Sequence, residues 1–167
     1  MAAPCEGRYE LARRLAAEAL RVFDPPNGYQ QVTLGNLDLQ EGNYESANAW
    51  FLRGLAVVLD FGDRDLMAHH LEGLSGLASA LGEHERAVKL AGAAETLREA
   101  GGSPLHPAWR GVLEPWLVIS RQALGEAACA SALAAGRRLP LERAIEEAAQ
   151  ITVPAHRKSE KRAAGHC

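Results

Sequence analysis

The chain has 167 residues, of which 47% are hydrophobic, 5% aromatic and 23% charged, and its formal net charge is −3. A slightly acidic chain has no general attraction to nucleic acid or to an anionic membrane surface. Ala and Leu dominate the apolar residues while Val, Ile and Thr are sparse, which favours helices over strands. The three cysteines show no CxxC spacing, so neither a disulfide framework nor a zinc ribbon is indicated, and we expect a cytoplasmic location.

Glycine and proline punctuation divides the chain into eight predicted helices. These cover residues 6–23, 29–41, 44–59, 65–81, 85–100, 108–124, 126–135 and 140–151. Pro140 stands in the first turn of the last helix, where proline is favoured. Pro115 lies inside the sixth helix, and we expect it to kink or restart that helix.

The chain contains an internal sequence repeat, in which two segments from its middle can be aligned with each other. The run "GNYESANAWFLRGL" from Gly42 aligns with "GEHERAVKLAGAAE" from Gly82, and "GRYELARRLAAEAL" from Gly7 falls in the same phase. Each copy has a turn glycine followed by small residues at helical spacing, which let two helices of a hairpin approach closely. The repeat therefore predicts turns at Gly42 and Gly82, with Ala47 and Ala87 buried at the hairpin contacts.

These residues resemble a known repeat family. A tetratricopeptide (TPR) pattern is carried by Leu34, Gly35, Gly42, Tyr44, Ala47, Phe51 and Gly54, and a weaker one by Leu74, Ser75, Gly82, Ala87, Ala91 and Ala94. The chain over roughly residues 30–151, and most specifically from Gly82 to Ala149, is similar to the TPR-like C-terminal region of bacterial STAND-ATPase and LuxR-type transcriptional regulators. The resemblance implies an all-α, antiparallel array of helical hairpins, a TPR-like α-solenoid, with a C-terminal helical cap. No G-x-x-x-x-G-K-[ST] loop occurs, so the ATPase activity of those regulators is not carried over.

The resemblance suggests three segments. We expect TPR-like repeats with an incomplete first hairpin over residues 1–101, a helical cap over 102–153 and a disordered basic tail over 154–167. The last dozen residues carry a charge of +3, which predicts at most weak, salt-sensitive contact with nucleic acid.

The N-terminal helix matches the second helix of a hairpin whose first helix is absent from the sequence. Its apolar residues should therefore remain uncovered, namely Leu11, Leu15, Leu20 and Val22. An uncovered apolar patch usually marks an interface. This predicts either upstream sequence in the intact protein or self-association through this helix.

In TPR hairpins the first helix of each pair lines a concave groove, so the resemblance implies a groove for a protein or peptide partner. The residues expected to line it are Tyr29, Asn36, Gln40, His69, Glu72 and Ser79. Asn36 falls where the family often places an asparagine that holds a peptide backbone. The alternative is that this face simply packs on neighbouring helices.

The sequence offers no catalytic constellation and no cofactor or metal site. His69 and His70 are adjacent on a helix and point about 100° apart, so they cannot chelate one metal together. We interpret Cys129, set among alanines, as a small buried hydrophobe, and Glu95 as the ion-pair partner of Arg98.

The functional prediction is a non-catalytic protein-interaction or regulatory module. The alternative is a small-molecule sensor with its pocket between repeats and cap, near Trp109 and Trp116. An enzyme hidden in a helical bundle is the third interpretation, and it would need convergent polar groups that the isolated histidines do not supply.

Overall fold

The computed structural model describes residues 6–22 and 27–154 of the chain. The described residues form eight α-helices and no strand, which confirms the all-α prediction. The helices are α1 (Glu6–Val22), α2 (Tyr29–Glu41), α3 (Tyr44–Phe61), α4 (Arg64–Ala80), α5 (His84–Gly101), α6 (Pro107–Leu124), α7 (Glu126–Arg137) and α8 (Leu141–Ala149). Pro115 does not restart the sixth helix, which runs through it to Leu124. The expected basic tail lies outside the described residues from position 155 onward.

Two hairpins, α2–α3 and α4–α5, have the same turn. Gly42 and Gly82 both adopt the left-handed conformation, with φ of 78° and 81°. The amide of the residue after each glycine donates to the carbonyl oxygen of the residue four positions before that glycine. Asn43 bonds in this way to Asp38, and Glu83 bonds to Ala78, at 2.8 Å in both cases. Glycine adopts this conformation without steric cost, which explains why it recurs at both turns. Both turns lie where the repeat predicts them.

Phe51 joins three helices at once. Its ring is fully buried and lies between Gly35 of α2 and Gly73 of α4. A Cβ at Gly35 would approach the ring to 2.5 Å, and one at Gly73 would come closer still. Because both glycines lack a Cβ, there is space between α2 and α4 for the Phe51 ring. Ala47 and Ala87 are fully buried, as the repeat predicts.

The C-terminal helices pack onto α4 and α5. α7 crosses α5 at Gly92 and Gly136, whose lack of side chains lets the two helices approach closely. A Cβ at Gly136 would overlap the carbonyl oxygen of Lys89. α8 adds Ala144 and Ala148 to the apolar cluster that begins at Val32 of α2. One core thus extends through most of the described chain.

α1 packs against α2 through one side only. Ala16 is buried there, and the Tyr9 hydroxyl donates to Gln40 Oε1 at 2.7 Å. On its other side Leu11 and Leu15 are 46% and 55% exposed. Val22 is 73% exposed, and Leu20 is half-buried. Three of the four apolar residues expected to be uncovered are therefore exposed.

Candidate functional site

The groove expected on α2 and α4 is closed in this structure by α6. The ring of Trp109 lies 4.9 Å, centroid to centroid, from the ring of His69. Trp116 lies over Gly76, where a Cβ would sit 3.2 Å from its Cδ1 atom. Ser79 Oγ donates to the carbonyl oxygen of Trp116 at 2.7 Å. The space left between α6 and this face has a volume of about 10 Å³.

The six residues expected to line the groove separate into two groups. Asn36, His69, Glu72 and Ser79 are buried, and the Asn36 amide donates to the carbonyl oxygen of Val32 at 2.9 Å. Tyr29 and Gln40 are exposed at positions that α6 does not cover. The open groove is therefore absent here, and a role of these residues in partner binding stays a prediction.

A buried polar network lies beneath α6. Arg98 of α5 donates from Nε to Glu72 Oε1 at 2.6 Å and from Nη2 to Glu72 Oε2 at 2.7 Å. Its Nη1 donates to Asp65 Oδ1 at 2.6 Å, and its Nη2 also donates to His69 Nδ1 at 3.1 Å. The expected pair with Glu95 is wrong, because Arg98 lies on the stripe of α5 that faces α4. Glu95 pairs instead with Arg137, at 3.2 Å.

Burial and hydrogen bonding in this network shift the pKa values of His69, Glu72 and Arg98. Burial, with a smaller contribution from Arg98, lowers the His69 pKa from 6.5 to about 4, so the imidazole is neutral and its Nδ1 accepts. Burial raises the pKa of Glu72, against the hydrogen bonds from Arg98. Burial alone would lower the pKa of Arg98, but the hydrogen bonds and charges of Glu72 and Asp65 outweigh this effect, so the pKa of Arg98 is raised. We therefore describe Arg98 and Glu72 as an ion pair at neutral pH.

Next to this network, a cleft of about 560 Å³ opens between α5, residues 102–105 and α6. Its apolar wall consists of Ala91, Pro104, Leu105, Leu113 and Leu117. Its charged residues are Glu72, Glu95, Arg98, Glu99, Arg110, Glu114 and Arg121. A volume between about 300 and 1,000 Å³ and an apolar wall are typical of small-molecule sites.

The charges of the cleft are mostly paired. Glu114 accepts from Arg121 at 2.9 Å, and Glu99 accepts from Arg137 at 2.6 Å. Arg110 forms no ion pair with any described residue. It is therefore the cation at the rim that is best placed to meet an anionic group of a ligand.

The sensor interpretation expects a pocket near Trp109 and Trp116, but the cleft between α5 and α6 lies on a different face of α6. Trp109 and Trp116 face the closed groove, whereas Leu117 and Arg121 face the cleft. The sequence did contain a signal for the buried polar network beside the cleft. Arg98 continues the helical stripe of Ala87, Ala91 and Ala94, all buried, and a charged residue on such a stripe indicates a buried polar network.

The remaining histidine and cysteine candidates lie apart from the cleft. His70 is fully buried, and its Nε2 donates to the carbonyl oxygen of Gly28 at 3.1 Å. His69 and His70 thus point to different sides of α4. Cys129 is half-buried, not buried as expected.

Comparisons with known proteins return no match, neither to a family model, nor to a curated protein, nor to a solved structure. No helix in the described part of the chain has the length and apolar character needed to cross a membrane. The same part contains no group of three or more His, Cys, Asp or Glu residues arranged to hold a metal ion.

Proposed function

We propose that this chain is a non-catalytic regulatory module that senses a small-molecule effector in the cleft between α5 and α6. The observation that carries the proposal is the cleft itself, with its volume of about 560 Å³, its apolar wall and its charged rim. Apolar surface gives a ligand affinity, and a few placed charges fix its orientation. The ligand would be an amphipathic organic acid whose apolar body contacts Leu113 and Leu117 and whose anionic group meets Arg110.

Binding, not reaction, is the proposed mechanism. General acid–base catalysis needs a carboxylate or imidazole that is free to exchange a proton with a substrate. Each carboxylate of the cleft is instead held by an arginine: Glu72 by Arg98, Glu114 by Arg121, and Glu95 and Glu99 by Arg137. These side chains are suited to shaping a charged rim.

The effector signal would be carried by α6. Leu113 and Glu72 line both the cleft and the closed groove, so a ligand in the cleft touches the same residues that seat α6 on α4. A ligand that binds only when α6 is seated would stabilise that position. The resemblance to the TPR-like region of bacterial transcriptional regulators, together with the two matching hairpins, supports a regulatory role for such a helix.

A protein partner is the second candidate. The face of α2 and α4 already accepts an amphipathic helix of this chain, anchored by Trp109 and Trp116. A partner helix with a similar aromatic pattern would compete with α6 for that face. Such a partner would displace α6, whereas an effector in the cleft would retain it.

A thermal-shift screen of amphipathic organic acids tests the proposal. A ligand present at about 100 times its Kd should stabilise the folded chain by about 2.7 kcal/mol. Arg110→Ala and Leu117→Glu should remove most of that stabilisation, because both positions line the cleft. Arg138→Ala is the matched control, an exposed arginine immediately after α7 that does not line the cleft.

Two results would contradict the effector proposal. In the first, no acid stabilises the chain; in the second, the stabilising acids bind Arg110→Ala and Leu117→Glu as well as they bind the parent. A helical peptide that binds and shifts tryptophan emission to the red would favour the protein partner instead.

A further inference from the structure

Five residues of α1 share one stripe on the side that faces away from α2. Arg8, Leu11, Leu15, Glu18 and Val22 fall within an arc of about 80° at 3.6 residues per turn. All five are exposed, with Leu11 and Leu15 near half of their full exposure. The stripe therefore presents two adjacent leucines to solvent with a cation on one side and a carboxylate on the other.

The opposite side of α1 is already occupied. Arg13 Nη2 lies 2.9 Å from Asp38 Oδ1 and 2.8 Å from Glu41 Oε2 of α2. With Tyr9 and the buried Ala16, this contact fixes the rotation of α1 about its own axis. Rotation of α1 to bury the leucines against α2 would break these ion pairs, so the leucines need another surface to cover them.

We propose that this surface is the same stripe of a second copy of the chain, in antiparallel orientation. The order along the stripe is Arg8, Leu11, Leu15, Glu18. When two such stripes run antiparallel, Leu11 meets Leu15 of the second copy and Arg8 meets its Glu18. The two-fold axis repeats both contacts, so the leucines are covered and both charges are neutralised. A parallel pairing would instead place Arg8 near Arg8 and Glu18 near Glu18.

The interface is small, which sets its strength. One helix pair of this length covers less surface than a standard stable interface, so the dimer should be weak and concentration-dependent. Val22 lies beyond the four paired positions and is not part of the seam. The proposal is independent of the cleft, since α1 contributes no residue to it.

Sedimentation equilibrium on the full chain, from the micromolar to the millimolar range, tests the proposal. We expect a reversible monomer–dimer equilibrium, which Leu11→Glu/Leu15→Glu abolishes. Glu18→Arg should weaken dimerisation at least about tenfold, because each interface then sets arginine against arginine. The double variant Arg8→Glu/Glu18→Arg should restore the parental Kd to within about threefold, since it exchanges the two charges in every pair.

Glu10→Arg is the matched control, because it makes the same charge change on the same helix at an exposed position outside the stripe. It should leave the dimer Kd within about threefold of the parent. Far-UV circular dichroism of each variant confirms that α1 still folds. A parent that stays monomeric, a dimer that survives Leu11→Glu/Leu15→Glu, or a double variant that dimerises no better than Glu18→Arg would each overturn the proposal.

Discussion

Arg98 and Glu72 form a buried ion pair with two hydrogen bonds, at 2.6 Å and 2.7 Å, which links α5 to α4 at the base of the cleft. Both side chains are largely shielded from water, with 7% and 10% of their surfaces exposed. A paired arrangement of this kind is tolerated because each charge satisfies the other, and neither is tolerated alone. The pair therefore links the packing of α4 against α5 to the shape of the cleft.

Loss of one member should be costly, and loss of both should be less so. Arg98→Met leaves Glu72 charged and buried, which should lower the free energy of unfolding by about 3–5 kcal/mol. Arg98→Met/Glu72→Leu should recover much of that loss, since no buried charge remains. Urea unfolding measures both.

Arg121→Met provides the comparison for this pair. Arg121 and Glu114 also form an ion pair, but both side chains are about half exposed. Its loss should change stability by at most about 1 kcal/mol. A double Arg98/Glu72 variant no more stable than Arg98→Met alone would contradict the account of the buried pair.

Substitution of Gly73 tests the three-helix junction at Phe51. Gly73→Ala puts a methyl group into the Phe51 ring, and the resulting displacement should cost about 1–3 kcal/mol. Gly111→Ala is the control, a helical glycine of α6 where an added Cβ would have no neighbouring atom within 4 Å. It should stabilise the chain by about 0.5–1 kcal/mol, because alanine is the better helix former. Equal effects of the two substitutions would show that Phe51 is not confined by the glycines.

Local signals in the sequence were sufficient to predict much of the fold. The turn glycines Gly42 and Gly82 and the buried Ala47 and Ala87 follow from rules that depend on near neighbours. The boundaries of the eight helices follow from the same punctuation, and they agree with the structure to within two residues.

The site required long-range information. Where α6 lies is decided by side chains that are distant in the sequence, such as Trp116 fitting over Gly76. The family pattern predicted an open groove because it describes single hairpins and not the helix that follows them. Helical spacing predicts a pair between Arg98 and Glu95, but burial of Arg98 against α4 brings it to Glu72 instead. The cleft could not be derived from the sequence for the same reason, since its walls come from segments that meet only in the fold.

Acid should destabilise the chain through its buried histidines. Burial lowers the His70 pKa from 6.5 to about 4. Between these values the unfolded chain binds a proton that the folded chain excludes, so the free energy of unfolding falls as pH decreases from 6.5 to 4. The loss should be roughly 3 kcal/mol for His70. His69 acts in the same direction, whereas Glu72, with its raised pKa, acts against it.

Urea unfolding at a series of pH values measures this dependence. His70→Gln should flatten the fall in stability between pH 6.5 and 4, although it lowers stability at neutral pH. His106→Gln is the comparison, since His106 is exposed at the start of α6, where its Nδ1 accepts from the amide of Ala108 at 3.2 Å. An unchanged slope in His70→Gln would contradict the assignment of this proton to His70.

The position of α6 on α4 depends on the contact between Trp116 and Gly76. A Cβ at Gly76 would lie 3.0 Å from Leu39 Cδ2 and 3.2 Å from Trp116 Cδ1, so Gly76→Leu fills the place that the Trp116 ring now occupies. The larger side chain should displace α6 and cost about 1–3 kcal/mol through overpacking. Tryptophan emission should shift to the red as Trp109 and Trp116 meet water, while α2–α5 keep their helical circular dichroism. Binding of a cleft ligand should be lost as well, because α6 supplies Leu113 and Leu117.

Gly111→Leu makes the same change on the exposed side of α6 and should leave emission and binding intact. If Gly76→Leu kept the parental emission, α6 would not depend on this contact for its position.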